Sequence, residues 1–215
     1  MRTPVVISVV ALNSLGLGAA SAPGAVVTIA FSGELTFVED GLTLENPIAV
    51  GTPFRGWYSF DPDGASDAIP SDPVIGSYHF QAGLMAVDIG ANHFQTPGGF
   101  VIAIWNNLPG LDSDLYQVSM GPLTAYGVDW QGLGLSLESF DNGPFMSDGL
   151  LTSAPNLSDF ERRHEFTAGR VGHRDPSIRG NVQSIAVIPE PGALALTALA
   201  LAHVTRRRRP CRRGL

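Results

Sequence analysis

Short apolar runs of strand length, separated by clusters of Gly, Pro, Asp and Asn, set the strongest limit on what this chain can fold into. The separators are Asp61-Pro62-Asp63-Gly64, Thr96-Pro97-Gly98-Gly99, Asn106-Asn107 and Asp141-Asn142-Gly143-Pro144. Each is a turn signal, because Gly reaches φ > 0, Pro presets φ, and Asp or Asn bonds its own backbone. Between them lie GSYHFQAG, LMAVDIG, FVIAIWN, DLYQVSM and LGLSLESF, with NVQSIAVI near the end. In LGLSLES, Leu133, Leu135 and Leu137 alternate with Gly134, Ser136 and Glu138, the period of a half-buried strand. Tyr78 and Phe80 share a face, as do Ile185 and Val187. With 25 glycines and 16 prolines, and no helical periodicity between the two ends, long helices are excluded from the body. The expectation is an all-β chain forming a single β-sandwich or jelly-roll-like domain over residues 26–187.

Charge narrows the function classes. From Gly24 to Ile188 the chain holds 19 carboxylates against six arginines, a net of −13. Such a body repels phosphate backbones, so nucleic acid is not an expected partner. All 13 basic residues are arginine, which removes Schiff-base chemistry and the phosphate-cradling lysine of nucleotide sites. The single cysteine, Cys211, permits no disulfide framework and no cysteine zinc site within one chain.

Both ends read as targeting segments. At the N-terminus, Arg2 precedes a mostly apolar stretch from Val5 to Leu17, and Ala20-Ser21-Ala22 fits a small-x-small cleavage site. Residues 1–25 are therefore expected to be a signal-peptide helix, cut between Ala20 and Ala25 by signal peptidase. At the C-terminus, residues 188–215 combine Pro189, Glu190 and Pro191 with an apolar run from Gly192 to Thr205 and then Arg206, Arg207, Arg208 and Arg209. At about 1.5 Å per residue that run spans roughly 21 Å, short of the ~30 Å hydrocarbon core, so it is expected to insert as a short helix with local thinning of the bilayer. The arginines would stay on the cytoplasmic side and fix the body outside. The two prolines would stop the last strand and hold Glu190 in an extended, accessible segment.

The order Pro-Glu-Pro, apolar helix, arginine cluster at the extreme C-terminus resembles the PEP-CTERM sorting signal of exported bacterial proteins. The resemblance implies recognition by an exosortase-like membrane peptidase, a transient stay in the inner membrane, and delivery to the cell surface or an extracellular polysaccharide matrix. On that reading the chain is a substrate of processing and not an enzyme. The body also resembles a recurrent uncharacterised region of such proteins. The matching residues are Gly56, Tyr58, Phe60 and Asp61, then Gly76 and Tyr78, and more loosely Asp141, Asn142 and Gly143. That resemblance implies a shared sandwich and no activity.

Chemistry-bearing constellations are few. Asp61, Asp63 and Asp67 in FDPDGASD are the metal candidates, since calcium takes six to eight oxygens and an acidic Gly-containing loop supplies several. The spacing departs from an EF-hand loop at Ala65, Ser66 and Asp72, and a plain strand-joining turn, which Asx residues make without any metal, is the favoured reading of the same residues. Arg163-His164-Glu165-Phe166 begins like a zinc-protease motif, but Ala168 stands where the second histidine belongs. Gly134-Leu135-Ser136-Leu137 is followed by Glu138 where a nucleophile elbow needs Gly, which leaves a secreted hydrolase the weakest reading. Trp105 beside Asn106 and Asn107, and Trp130 between Asp129 and Gln131, are the sugar-binding candidates of a lectin-like module. The competing reading of both rings, and of Trp57, is core or edge packing.

Overall fold

The computed structural model describes residues 26–188, apart from 43, 96–97, 108–112 and 142. The segments carrying the signal-peptide and sorting-signal readings, including Pro189, Glu190, Pro191 and Arg206 to Arg209, lie outside the described residues. Among the described residues no helix is long and apolar enough to cross a membrane.

The described chain is all-β. Its strands are β1 Val27–Val38, β2 Pro53–Phe60, β3 Ile75–Phe80, β4 Leu84–Ile89, β5 Asn92–Gln95 and β6 Phe100–Trp105. They continue with β7 Leu115–Met120, β8 Leu123–Ala125, β9 Val128–Glu138, β10 Arg163–Arg170 and β11 Ile178–Val187. They pair antiparallel in one continuous sheet of order β3-β6-β7-β9-β10-β11-β1-β2-β4-β5, with β8 added to β9. One sheet, and not two separate ones, makes the core.

That sheet buries its apolar face by curling until its two arms meet. Phe54 of β2 stacks on Phe166 of β10 with centroids 4.8 Å apart, and Phe60 of β2 lies 4.8 Å from Phe80 of β3. Tyr58 of β2 meets Phe100 of β6 edge-on at 5.8 Å. Phe94 of β5 meets Trp130 of β9 edge-on at 5.4 Å. Each large side chain removed from water in this way contributes about 1.5–3 kcal/mol. The register of β1 on β11 slips between Ser32 and Gly33 and again between Leu35 and Phe37. Such irregularities bend a strand and increase its twist. Gly33 sits at the first slip because a Cβ there would lie 1.9 Å from the Asn181 carbonyl oxygen.

An open sheet leaves two edges, and unpaired edges invite pairing with other chains. Both are covered. Along β3, the Ser77 N–H donates to Asp67 Oδ1 at 2.9 Å, and the Ala68 N–H donates to the Ser77 carbonyl at 2.8 Å. Along β5, the Tyr126 hydroxyl donates to the His93 carbonyl at 2.9 Å and accepts the His93 N–H at 2.5 Å. Tyr126 reaches across from the β8–β9 hairpin, where it and Gly127 take φ of 55° and 70°. Two successive positive φ values mark a type I′ turn, which fits the strand twist.

Candidate functional site

The sequence-predicted residues disperse over the surface and into the core. Asp61 caps the 3-10 turn Pro62–Gly64, its Oδ1 accepting the Asp63 N–H at 3.0 Å. Asp67 accepts the N–H groups of Ile69 and Ser77, both at 2.9 Å. These two carboxylates hold a turn and guard the β3 edge. Among the described residues no three His, Cys, Asp or Glu side chains converge as metal ligands would, so Asp61, Asp63 and Asp67 are not brought together. The calcium reading of this loop accordingly has no donor set of three behind it, and the turn reading accounts for its bonds.

Trp130 is corrected from sugar platform to core. Its ring is 0% exposed, packed edge-on against Phe94, and its Nε1–H donates to the Ala125 carbonyl at 3.3 Å. A ring with no open face cannot stack on a sugar. Trp105 is half-buried at the end of β6, with Ile75 and Leu115 as its cross-strand neighbours. Beside it, Asn107 is a turn residue at φ 67°, and its N–H donates to Asp114 Oδ1 at 2.8 Å. Asp114 is fully buried and also accepts the Phe145 N–H at 2.7 Å, tying two loops together. His79 is exposed, as the alternation in GSYHFQ predicts.

The most site-like arrangement lies elsewhere, on the outer face of β7, β9 and β10. A groove of about 410 Å³ runs there, within the roughly 300–1,000 Å³ of small-molecule sites. Its floor is Gly132 and Gly134 of β9 with Gly169 of β10. Gly134 faces Thr167 and Gly132 faces Gly169 across the β9–β10 pair. Polar side chains stand around this floor: Gln117 and Ser119 from β7, Gln131 from β9, Thr167 from β10. The loop His173 to Pro176 forms one wall.

The local sequence explains the groove. Gly169 faces Gly132, but Arg170 faces Trp130, so Gln131 is an extra, unopposed residue in β9. This bulge lets Trp130 and Leu133 both point inward although they are three residues apart, and it turns Gln131 outward into the groove. Gly132 is required by packing, since a Cβ there would lie 2.5 Å from the Met120 carbonyl oxygen. The loop wall is tethered by His173 Nδ1, 3.0 Å from Glu39 Oε1, with Arg170 Nη1 at 3.7 Å from Oε2. The Ser177 hydroxyl, with His173 and Arg170, holds the Glu39 carboxyl below its usual range.

Two other depressions offer less. One of about 420 Å³ is rimmed by Asp141, Asp159 and Glu161. Asp141 Oδ1 already accepts the Gly143 N–H at 3.1 Å, and Asp159 Oδ1 accepts from Asn156 at 3.0 Å and Ser158 at 3.2 Å. The other, about 560 Å³, lies between the acidic turn and the β3–β4 hairpin, over Phe60 and Phe80.

Sequence reasoning missed the groove because it looked for aromatic and charged residues. The available signal was glycine inside strands: Gly132 and Gly134 in β9 and Gly169 in β10 interrupt strand-length runs without forming turns. Comparison with protein-family models, with curated proteins and with solved structures finds no match to this chain.

Proposed function

We propose that this chain is an exported bacterial surface or extracellular-matrix protein, non-enzymatic, sorted and processed through Pro189-Glu190-Pro191. Signal peptidase would remove the N-terminal segment. An exosortase-like membrane peptidase would act on the C-terminal one while Arg206 to Arg209 hold it in the inner membrane. The body between them is read as one sandwich-like or jelly-roll-like unit made by folding a single sheet.

One observation carries this reading beyond the sequence. The first and last strands are neighbours: Ile29 pairs with Val187, and the Ile188 N–H donates to the Thr28 carbonyl at 2.8 Å. Both flanking segments therefore leave the body from adjacent strands at one end. A single membrane surface can accept both while the body stays wholly on one side. A domain whose ends left from opposite poles would need a long linker to do the same.

The test is the intact mass of the chain recovered from its native host. Loss of the N-terminal segment and of everything beyond about Pro191 is the expected result. A mass that retains the arginine cluster refutes processing at the Pro-Glu-Pro segment.

A second reading, a carbohydrate-binding module on the same anchor, is favoured by the groove, whose floor and β-strand rim carry uncharged polar groups. Trp105 remains on the outer surface, but the groove offers more hydrogen-bonding groups than that ring and its turn.

A further inference from the structure

We propose that the glycine-floored groove of β7, β9 and β10 is a binding site for a neutral polysaccharide chain. The inference rests on the matrix-protein reading for its setting and names the matrix component that the body would hold.

Gly169 is the first observation. It sits inside β10, where glycine weakens a strand by removing side-chain packing. Its φ is not in the left-handed region, and a Cβ added to it would meet nothing within 4 Å. Neither the backbone nor packing asks for glycine here. What the missing side chain leaves is open space on the groove floor, so that a ligand can approach the backbone closely.

The bulge is the second observation. Without the extra residue at 131, the outward residues of β9 would simply alternate, and Gln131 and Gly132 would not both serve the groove. Bulges recur beside binding sites because they re-aim one side chain. Here the re-aimed group is a carboxamide, which both donates and accepts.

The third observation is the chemistry of the rim. Gln117, Ser119, Gln131 and Thr167 supply two amides and two hydroxyls, all uncharged, each able to donate and to accept. No side-chain hydrogen bond among the described residues engages these four, so their capacity is open to a ligand. A chain of sugar hydroxyls, alternately donor and acceptor, matches such a set; a phosphate or carboxylate ligand would call for a concentration of cations. The only charged side chains at the rim are His173, Arg174 and Asp175, of mixed sign, and His173 is held by Glu39. An extended peptide is disfavoured because β7, β9 and β10 are each paired on both sides and offer no free backbone ladder.

The experiment is affinity electrophoresis of the purified full chain, kept soluble in a polyoxyethylene detergent. The gels contain dextran, a mixed-linkage β-glucan, a galactomannan or alginate. Retardation in one or more of the three neutral gels is expected, with no retardation in alginate. Gly169→Val fills the floor with a β-favouring side chain; it should keep or raise the melting temperature and abolish retardation. The exposed Gln131→Ala change should weaken retardation without affecting folding, and it decides the matter if the valine variant fails to fold. No retardation in any neutral gel, retardation in alginate alone, or undiminished retardation of folded variants overturns the proposal. Removal of the tail is read separately by mass in the host, so the failure of either reading is visible without the other.

Discussion

The phenol oxygens of Tyr58 and Tyr116 meet at 2.8 Å inside the core, with both side chains fully buried. Tyr58 belongs to β2 and Tyr116 to β7, with four strands between them in the sheet order. The bond therefore stitches one arm of the curled sheet to the other. Changing either tyrosine to phenylalanine leaves the other hydroxyl without its partner, at a cost of about 1–3 kcal/mol. The double variant Tyr58→Phe/Tyr116→Phe removes both polar groups and should unfold nearly as late as the parent. Urea unfolding of the three variants forms a double-mutant cycle; additive losses would show that the pair does not act as a unit.

The same pair governs alkaline stability. Burial pushes the Tyr58 phenol well above its ordinary value, with Tyr116 beside it adding to the effect, and burial likewise raises Tyr116. A group whose folded pKa is raised contributes stability that is intact below the unfolded value, about 10 for tyrosine, and is lost as pH rises beyond it. Of the chain's four tyrosines, Tyr58 and Tyr116 should therefore ionise only as the chain unfolds. Phenolate absorbance followed alongside circular dichroism tests this. Ionisation of all four before the dichroism changes would contradict it. The double phenylalanine variant should have the flatter alkaline limb.

His93 and Tyr126 make an edge guard with a pH dependence of opposite range. His93 Nδ1 lies 2.5 Å from Asp88 Oδ1, and that bond raises the histidine pKa. The stabilisation is full below the unfolded value of about 6.5 and fades as pH rises through the raised folded value. His93→Gln should remove this slope from the melting curve. Tyr126→Phe instead removes both bonds that cover the β5 edge, at any pH. Its expected signature is concentration-dependent association in sedimentation velocity, since an uncovered edge templates pairing. A Tyr126→Phe chain that stays as dispersed as the parent would show that the edge needs no guard.

What the sequence disclosed, and what it hid, follow from the range of the interactions. The alternation of Leu133, Leu135 and Leu137 is local, and all three are buried as read. The Asp61 turn is local and forms as a capped 3-10 turn. Pairing of β1 with β11 joins residues such as Ile29 and Val187, and nothing short-range announces that this closes one sheet in place of two. β1 itself carries Ser32, Gly33 and Glu34 in its middle, which obscures its strand character. Between the sugar and packing readings of Trp130 the sequence could not choose by alternation, because a bulge resets the inward parity between it and Leu133, and a bulge shows only against a partner strand. The floor of the groove was hidden for the same reason: Gly132 and Gly169 become neighbours only through the β9–β10 register. The zinc-protease-like run at His164 turns out to lie in β10, the strand that contributes Gly169.

Glycine-to-alanine changes should separate a glycine that the fold needs from one that it does not. A Cβ on Gly56 would lie 2.2 Å from Phe31 Cζ, with the rest of that ring's edge at 2.7 Å. Phe31 is buried between Phe54, Tyr58 and Phe166, so it has little room to retreat. Gly56→Ala should cost about 1–3 kcal/mol by overpacking. Gly169→Ala, with nothing in reach of its Cβ, should be neutral or stabilising. Thermal melts of the two variants suffice, and equal losses would contradict the distinction.

Glu138 carries the most asymmetric prediction. Its side chain is only 5% exposed, and its two oxygens lie 3.0 Å from Arg162 Nη1 and 3.3 Å from Arg163 Nη2. The arginines are 36% and 47% exposed, so they can return to water if the carboxylate is lost. The carboxylate cannot do the same. Removing both cations in Arg162→Ala/Arg163→Ala leaves a buried charge without a counter-charge and should cost about 3–5 kcal/mol. Glu138→Gln keeps the shape and the hydrogen-bonding oxygen, releases the two guanidinium groups, and should cost clearly less. Denaturant midpoints of the two variants at neutral pH decide between the views. If Glu138→Gln proves the more damaging, the arginines depend on the glutamate, and not the reverse.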